Sequence, residues 1–123
     1  MRITYSIILV SDMARSVAFY RDIVGMPLKF ESPHWTEFET DGATWALHLC
    51  DGPTNDSGVV RSETAGCCRP GIQVANLNEF HARMLKNGAL CAQEPTRTFG
   101  TRIAQYIDPD GLTFSVSEAK PDE

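Results

Sequence analysis

The strongest constraint on this chain is that much of it is written twice. Asp41-Gly42-Ala43-Thr44-Trp45-Ala46-Leu47-His48 matches Asp110-Gly111-Leu112-Thr113-Phe114-Ser115-Val116-Ser117 in residue type up to the last position. Upstream, Val10-Ser11-Asp12-Met13 matches Val74-Ala75-Asn76-Leu77, and each is followed by an amphipathic stretch that runs to a glycine, Gly25 or Gly88. The two offsets are 69 residues (110 − 41) and 64 residues (74 − 10), so the halves differ by a small length change between the matched blocks. A repeat of this kind means that one supersecondary unit has been used twice, which removes most alternative folds. With 123 residues in all, each half is too small to enclose a site alone, and the chain reads as one domain made of two related halves.

Each half reads as a strand, a helix and three strands. Residues 3–10 (ITYSIILV) are apolar and β-branched, as strands require. Asp12 stands as a helix N-cap, and Met13 to Val24 places Val17, Phe19, Tyr20, Ile23 and Val24 at near-helical spacing. Gly25 and Pro27 end that helix. In the second half Asn76 caps, Glu79 completes an Asn-x-x-Glu variant of the capping box, and Phe80, Met84 and Leu85 supply the buried face before Gly88. The remaining strands are expected over 28–32, 35–40, 43–50, 70–75, 90–94, 101–107 and 112–118.

Asp41-Gly42 predicts a two-residue type I′ hairpin, and that turn sets a register. Thr40 then faces Ala43, Phe38 faces Trp45, Glu37 faces Ala46 and Trp35 faces His48. Period-two alternation puts Phe38, Trp45, Leu47 and Leu49 on a core face under the helix. Trp35, Glu37, Glu39, Thr44, Ala46 and His48 share the other face, which is a solvated surface or the wall of a cavity. Transferred through the repeat, Tyr106, Ser115 and Ser117 are expected on the corresponding face of the second half. Residues 51–69 (DGPTNDSGVVRSETAGCCR) show no period and read as an inter-half linker or a lid.

Composition narrows the function classes. Eleven basic against sixteen acidic residues give −5, which argues against a phosphate-backbone binder. No segment has the length and hydropathy of a transmembrane helix, and MRITYSIILVSD carries a short apolar run without a cleavage pattern. Cys50, Cys67, Cys68 and Cys91 form no CxxC spacing, so reduced thiols in the cytoplasm are expected. A redox role for the adjacent Cys67–Cys68 pair is the minor alternative.

The doubled plan, with VSDMARSVAFYRDIVGM first and YIDPDGLTFSV last, resembles the vicinal oxygen chelate superfamily of glyoxalases, bleomycin-resistance proteins and extradiol dioxygenases. The resemblance implies an α+β fold in which two βαβββ units form a curled mixed sheet around a cup, with helices on the outer face and frequently a homodimer. Under it, half 1 covers about residues 1–50, the linker or lid about 51–69, and half 2 about 70–118. It also implies a divalent ion in catalytic members, bound from the first and last strands of each half. Carried over by position, those sites fall on Tyr5, Arg69, Ala46 and Ser115. Ala46 has no donor atom, Ser115 is a weak ligand and Arg69 repels a cation, so no metal cofactor is expected. A register shifted by two brings His48 to that place, and Glu37 sits across the hairpin from Ala46, so the two could hold a displaced ion or act as acid and base.

The candidate ligand-binding residues are therefore Tyr5, Trp35, His48, Arg69, Tyr106 and Ser115, and the candidate catalytic pair is Glu37 with His48. Trp35 could stack on a planar ligand. Arg69, Arg97 and Arg102 could meet an anion or stand in solvent. His81, near Phe80 and Met84, reads as structural, and His34 in the Ser32-Pro33-His34 corner has no assigned role. Two functions follow. One is metal-free binding of a small organic molecule, as in bleomycin resistance. The other is a metal-dependent lyase or isomerase resembling lactoylglutathione lyase, or a dioxygenase-like enzyme.

Overall fold

Strand register carries the duplication into three dimensions. The computed structural model describes residues 1–50, 65–98 and 100–120, and the chain divides into two compact units, Met1–Ser57 and Gly58–Glu123. In the first unit, β1 (Tyr5–Val10), β2 (Leu28–Glu31), β3 (Trp35–Phe38) and β4 (Thr44–Leu49) form a sheet in the order β1-β4-β3-β2. In the second, β5 (Gly71–Val74), β6 (Leu90–Thr98), β7 (Thr101–Ile107) and β8 (Thr113–Glu118) form a sheet in the equivalent order β5-β8-β7-β6. The first strand of each sheet runs parallel to the last, and the other pairs are antiparallel. Ile7 pairs with Ala46 and Gly71 with Ser115, so residues 64 and 69 positions apart occupy equivalent places. The fold is α+β, built from two βαβββ-type units.

Helix α1 (Met13–Ala18) starts where Asp12 accepts the Arg15 backbone N–H at 3.1 Å. It then widens into a π-helical segment, Phe19–Val24, which the uniform spacing of the sequence does not announce. The N–H groups of Gly25 and Met26 both donate to the Tyr20 carbonyl, at 3.1 and 2.9 Å, and Gly25 ends the segment at φ +91°. The wider turn buries Phe19, Tyr20 and Val24 together. Tyr20 lies with ring centroids 5.5 Å from Trp45 and 6.2 Å from Phe38. Phe38, Trp45 and Leu47 are buried as their alternation requires, while Leu49 at the strand end is half-buried.

Helix α2 (Leu77–Lys86) starts on Asn76, whose side chain accepts the Glu79 backbone N–H at 3.0 Å. Leu77 and Met84 are fully buried beneath it. Leu85 was expected there too, but it is exposed. It follows Met84 by one residue, and that step turns a side chain about 100° around the helix.

Tyr106 corrects the sequence expectation more consequentially. It is fully buried and pairs with Phe114, not with the Ser115 face. The reason is turn length. In the first unit the β3–β4 register places Asp41-Gly42 as a two-residue turn. In the second, the Asp108 N–H donates to the Leu112 carbonyl at 2.9 Å, leaving Pro109, Asp110 and Gly111 as a three-residue turn. One added residue slips the register by one and sends every side chain on that strand to the opposite face. Tyr106 thus lies under α2, with its ring 5.6 Å from Phe80 and its hydroxyl 2.9 Å from His81 Nδ1. Burial pushes the phenol well above its usual range, so it keeps its proton and shares a hydrogen bond with His81 Nδ1.

The first turn also differs from expectation in its conformation. Gly42 does not occupy the left-handed region, whereas Gly111 does at φ +89°. The Thr40 hydroxyl holds the first turn instead, accepting the Gly42 N–H at 3.0 Å and donating to the Ala43 carbonyl.

These contacts generate two expectations. Gly111→Ala should cost about 1–2 kcal/mol in urea unfolding, against less than about 0.5 for Gly42→Ala, because only the first forces a Cβ into the left-handed region. Tyr106→Phe should cost about 1 kcal/mol at neutral pH through loss of the His81 bond. The wild-type phenol resists ionisation when folded but ionises near 10.0 when unfolded, so stability should fall as pH rises past that value. Melts across that range should show a shallower fall in Tyr106→Phe.

Candidate functional site

The face of the first sheet turned away from α1 gathers the aromatic candidates. Along β1, Ile8 and Val10 point into the core, which leaves Tyr5, Ile7 and Leu9 on the open side at 50, 52 and 61% exposure. Along the hairpin, Thr36 and Phe38 are buried, and Trp35 and Glu37 take the open side opposite His48 and Ala46. Trp35, Glu37 and His48 therefore share one surface, as the alternation predicts, and the β1–β4 register adds Tyr5 to it. Tyr5 meets Trp35 edge to face at 6.2 Å and 69°, and His48 meets Trp35 at 6.0 Å and 76°.

Ala46 explains how rings on β1 and β3 can touch across β4. It lies between them in the strand lattice, with Tyr5 opposite Thr44 and Trp35 opposite His48. It is fully buried, and a methyl is all that fills the space where the two rings converge. A longer side chain at that position would stand between Tyr5 and Trp35.

Trp35 is held on two sides. Its carbonyl accepts from the Ser32 N–H at 3.0 Å and the Ser32 hydroxyl at 2.6 Å. Its indole Nε1–H donates to Glu37 Oε2 at 2.8 Å. The other Glu37 oxygen lies 3.8 Å from Lys29 Nζ, with the Glu37 side chain 20% exposed and that of Lys29 54% exposed. With an exposed lysine at that distance, the pair contributes little. Glu37 and His48 make no hydrogen bond to each other, so they are not assembled as an acid–base pair.

The equivalent face of the second sheet is chemically different. Ser115 pairs with Gly71 on one side and Gln105 on the other, Gln105 pairs with Gln93, and Ser117 pairs with Gln73. This surface carries hydroxyls and amides without aromatic rings. Arg69 is half-buried two residues before Gly71. Tyr106 is absent from this face for the register reason given above. Arg102 is engaged with Asn78 at 2.8 Å and Glu118 at 3.6 Å, and Arg97 is exposed. Cys50, Cys67 and Cys68 are exposed free thiols, and burial raises the pKa of half-buried Cys91. Residues 51–64 of the expected linker or lid lie outside the described residues.

The residues present do not fit the divalent ion implied by the resemblance. Tyr5 lies against Trp35, Ala46 has no donor, Arg69 carries a positive charge and Ser115 is a lone hydroxyl. Among the described residues no three of His, Cys, Asp and Glu gather where they could hold a metal. Hard and borderline divalent ions need several converging anionic, imidazole or carbonyl donors.

Sequence reasoning did not single out Ile7, Leu9, Phe30, Lys29 or Ser32 for this surface. Alternation in ITYSIILV carries the signal for Ile7 and Leu9. Phe30 and Lys29 are hidden by an irregularity between Leu28 and Phe30 that breaks the period of β2.

Comparison with known proteins agrees with this architecture. A lactoylglutathione lyase of Salmonella typhimurium is 30% identical, over 98% of this chain and 94% of its own length. Among solved structures, TioX from Micromonospora sp. ML1 superposes with a TM-score of 0.75 at 17% identity, covering 96% of this chain and 98% of that one. TnmS3, an antibiotic binding protein from Streptomyces sp. CB03234, superposes with a TM-score of 0.73 at 22% identity, covering 98% and 97%. Below 25% identity these two structures speak for the fold alone. The sequence profile of the Glyoxalase/Bleomycin resistance protein/Dioxygenase superfamily matches residues 2–116, and the chain belongs to that superfamily.

Proposed function

We propose that this chain binds a small planar organic molecule on the aromatic face of its first unit and does so without a divalent ion. The observation that carries the reading is the meeting of Tyr5 and Trp35 above Ala46. Two positions implied as metal sites are thereby occupied by an aromatic ring and a methyl group. A ring pair fixed edge to face, with apolar neighbours Ile7 and Leu9, offers stacking area at low entropic cost. TnmS3, described as an antibiotic binding protein, shares this fold, so the fold accommodates binding of a small organic molecule.

The second reading is a metal-dependent lyase, favoured by the 30% identity to lactoylglutathione lyase. It requires donors other than Tyr5, Ala46, Arg69 and Ser115. Glu37 would then have to release Trp35 to act as a base, since the indole N–H already occupies one of its oxygens.

Chelated protein should show melting shifts below about 1 °C with Ni²⁺, Zn²⁺ or Mn²⁺, whereas a bound planar ligand at about a hundred times its Kd should stabilise by roughly 2.7 kcal/mol. Trp35→Ala should abolish that shift, and His48→Ala should weaken binding by about 1 kcal/mol. Stoichiometric metal by elemental analysis, together with turnover of a methylglyoxal–glutathione adduct, would establish the lyase instead.

A further inference from the structure

We infer that the ligand class taken by this face is a planar aromatic cation, selected by Glu37. The inference rests on the reading that Trp35 is a stacking plate. The indole N–H is already committed to Glu37 Oε2 at 2.8 Å, so Trp35 offers a ligand its π-face and no donor. An anion hydrogen-bonded to the indole also enriches that π-face, which favours a cation over it.

Glu37 retains acceptor capacity. A carboxylate offers about four lone-pair sites, and Glu37 uses them for one hydrogen bond from Trp35 and one loose ion pair with Lys29 at 3.8 Å. That Lys29 contact is longer than a hydrogen bond and its side chain is 54% exposed. Its ammonium can swing into water on a flexible stem while its place beside Glu37 Oε1 is taken by a ligand N–H⁺. The Glu37 side chain is only 20% exposed, so screening of its charge by water is reduced there. Of its neighbours on the same surface, Phe30, Ala46 and Trp35 are uncharged, Lys29 is the cation beside it, and His48 stands edge-on to Trp35. An anionic ring would gain no ion pair from Glu37 and would meet its negative charge at the edge of the plate it stacks on.

Three tricyclic probes separate the outcomes by calorimetry: 9-aminoacridine as cation, acridone as neutral ring and anthracene-9-carboxylate as anion. The wild-type chain should bind the cation at least about tenfold more tightly than the anion. Glu37→Gln keeps an oxygen acceptor for the indole and removes only the charge. It should bring cation and anion within about threefold of each other while acridone binding stays within about twofold. The overall charge of −5 changes by a single unit in that variant, so a bulk electrostatic preference would survive it. Its melting temperature and the indole Nε1–H resonance of Trp35 verify that the plate stays in place. Equal wild-type affinity for cation and anion, or a preference unchanged in Glu37→Gln, overturns Glu37 as selector and leaves the stacking site standing. Failure of all three probes to bind, or binding that survives Trp35→Ala, overturns the stacking site together with the selector.

Discussion

Turn length, through strand register, governs where every chemical group of this protein ends up. A two-residue turn at Asp41-Gly42 pairs Phe38 with Trp45 and Glu37 with Ala46. A three-residue turn at Pro109-Asp110-Gly111 pairs Tyr106 with Phe114. Because strand side chains alternate with period two, that single residue exchanges core and surface along the strand. The first unit consequently offers a Trp and a Glu on its open face, where the second has buried its Tyr.

The same register explains the open face of the first unit. Ala46 occupies the lattice point between Tyr5 and Trp35, and its small volume lets the rings meet. Glu37, two residues along from Trp35, stands on the same side and can take the indole N–H. Ser32 ties down the backbone at the start of the strand. Polar contacts to a residue on both its main chain and its side chain leave few rotamers open, so the ring is positioned before any ligand arrives.

The two units share topology but differ in the chemistry of their open faces. One is aromatic with a half-buried carboxylate, and the other is lined by Gln93, Gln105, Ser115 and Ser117. Duplication preserved what packing requires, namely the caps at Asp12 and Asn76, the left-handed Gly25 and Gly88, and the buried positions Trp45, Leu47, Phe114 and Val116. Open-face positions carry no such packing constraint, and a fold by itself does not dictate what they bind.

Much of the architecture was legible in the sequence because its signals are local. Caps act over three residues and alternation over two, and a turn dipeptide sets the pairing of the strands it joins. The Trp35–Glu37–His48 face follows from those rules, since directly opposed and alternate residues must share a side, whereas Tyr5 was placed only through the family resemblance and joins that face through the β1–β4 register. Tyr106 and Leu85 did not follow, because a one-residue difference in turn length and a 100° step around a helix are invisible to matching by residue type. The π-helical turn at Phe19–Val24 was equally hidden, since its signature lies in packing against Phe38 and Trp45. The sequence by itself determined the repeat, the element order, the register of the first hairpin and the poverty of metal donors at Tyr5, Ala46, Arg69 and Ser115. Only the tertiary structure decided that Tyr5 and Trp35 close over Ala46 and that Glu37 holds the indole, because these contacts depend on distances between side chains on different strands.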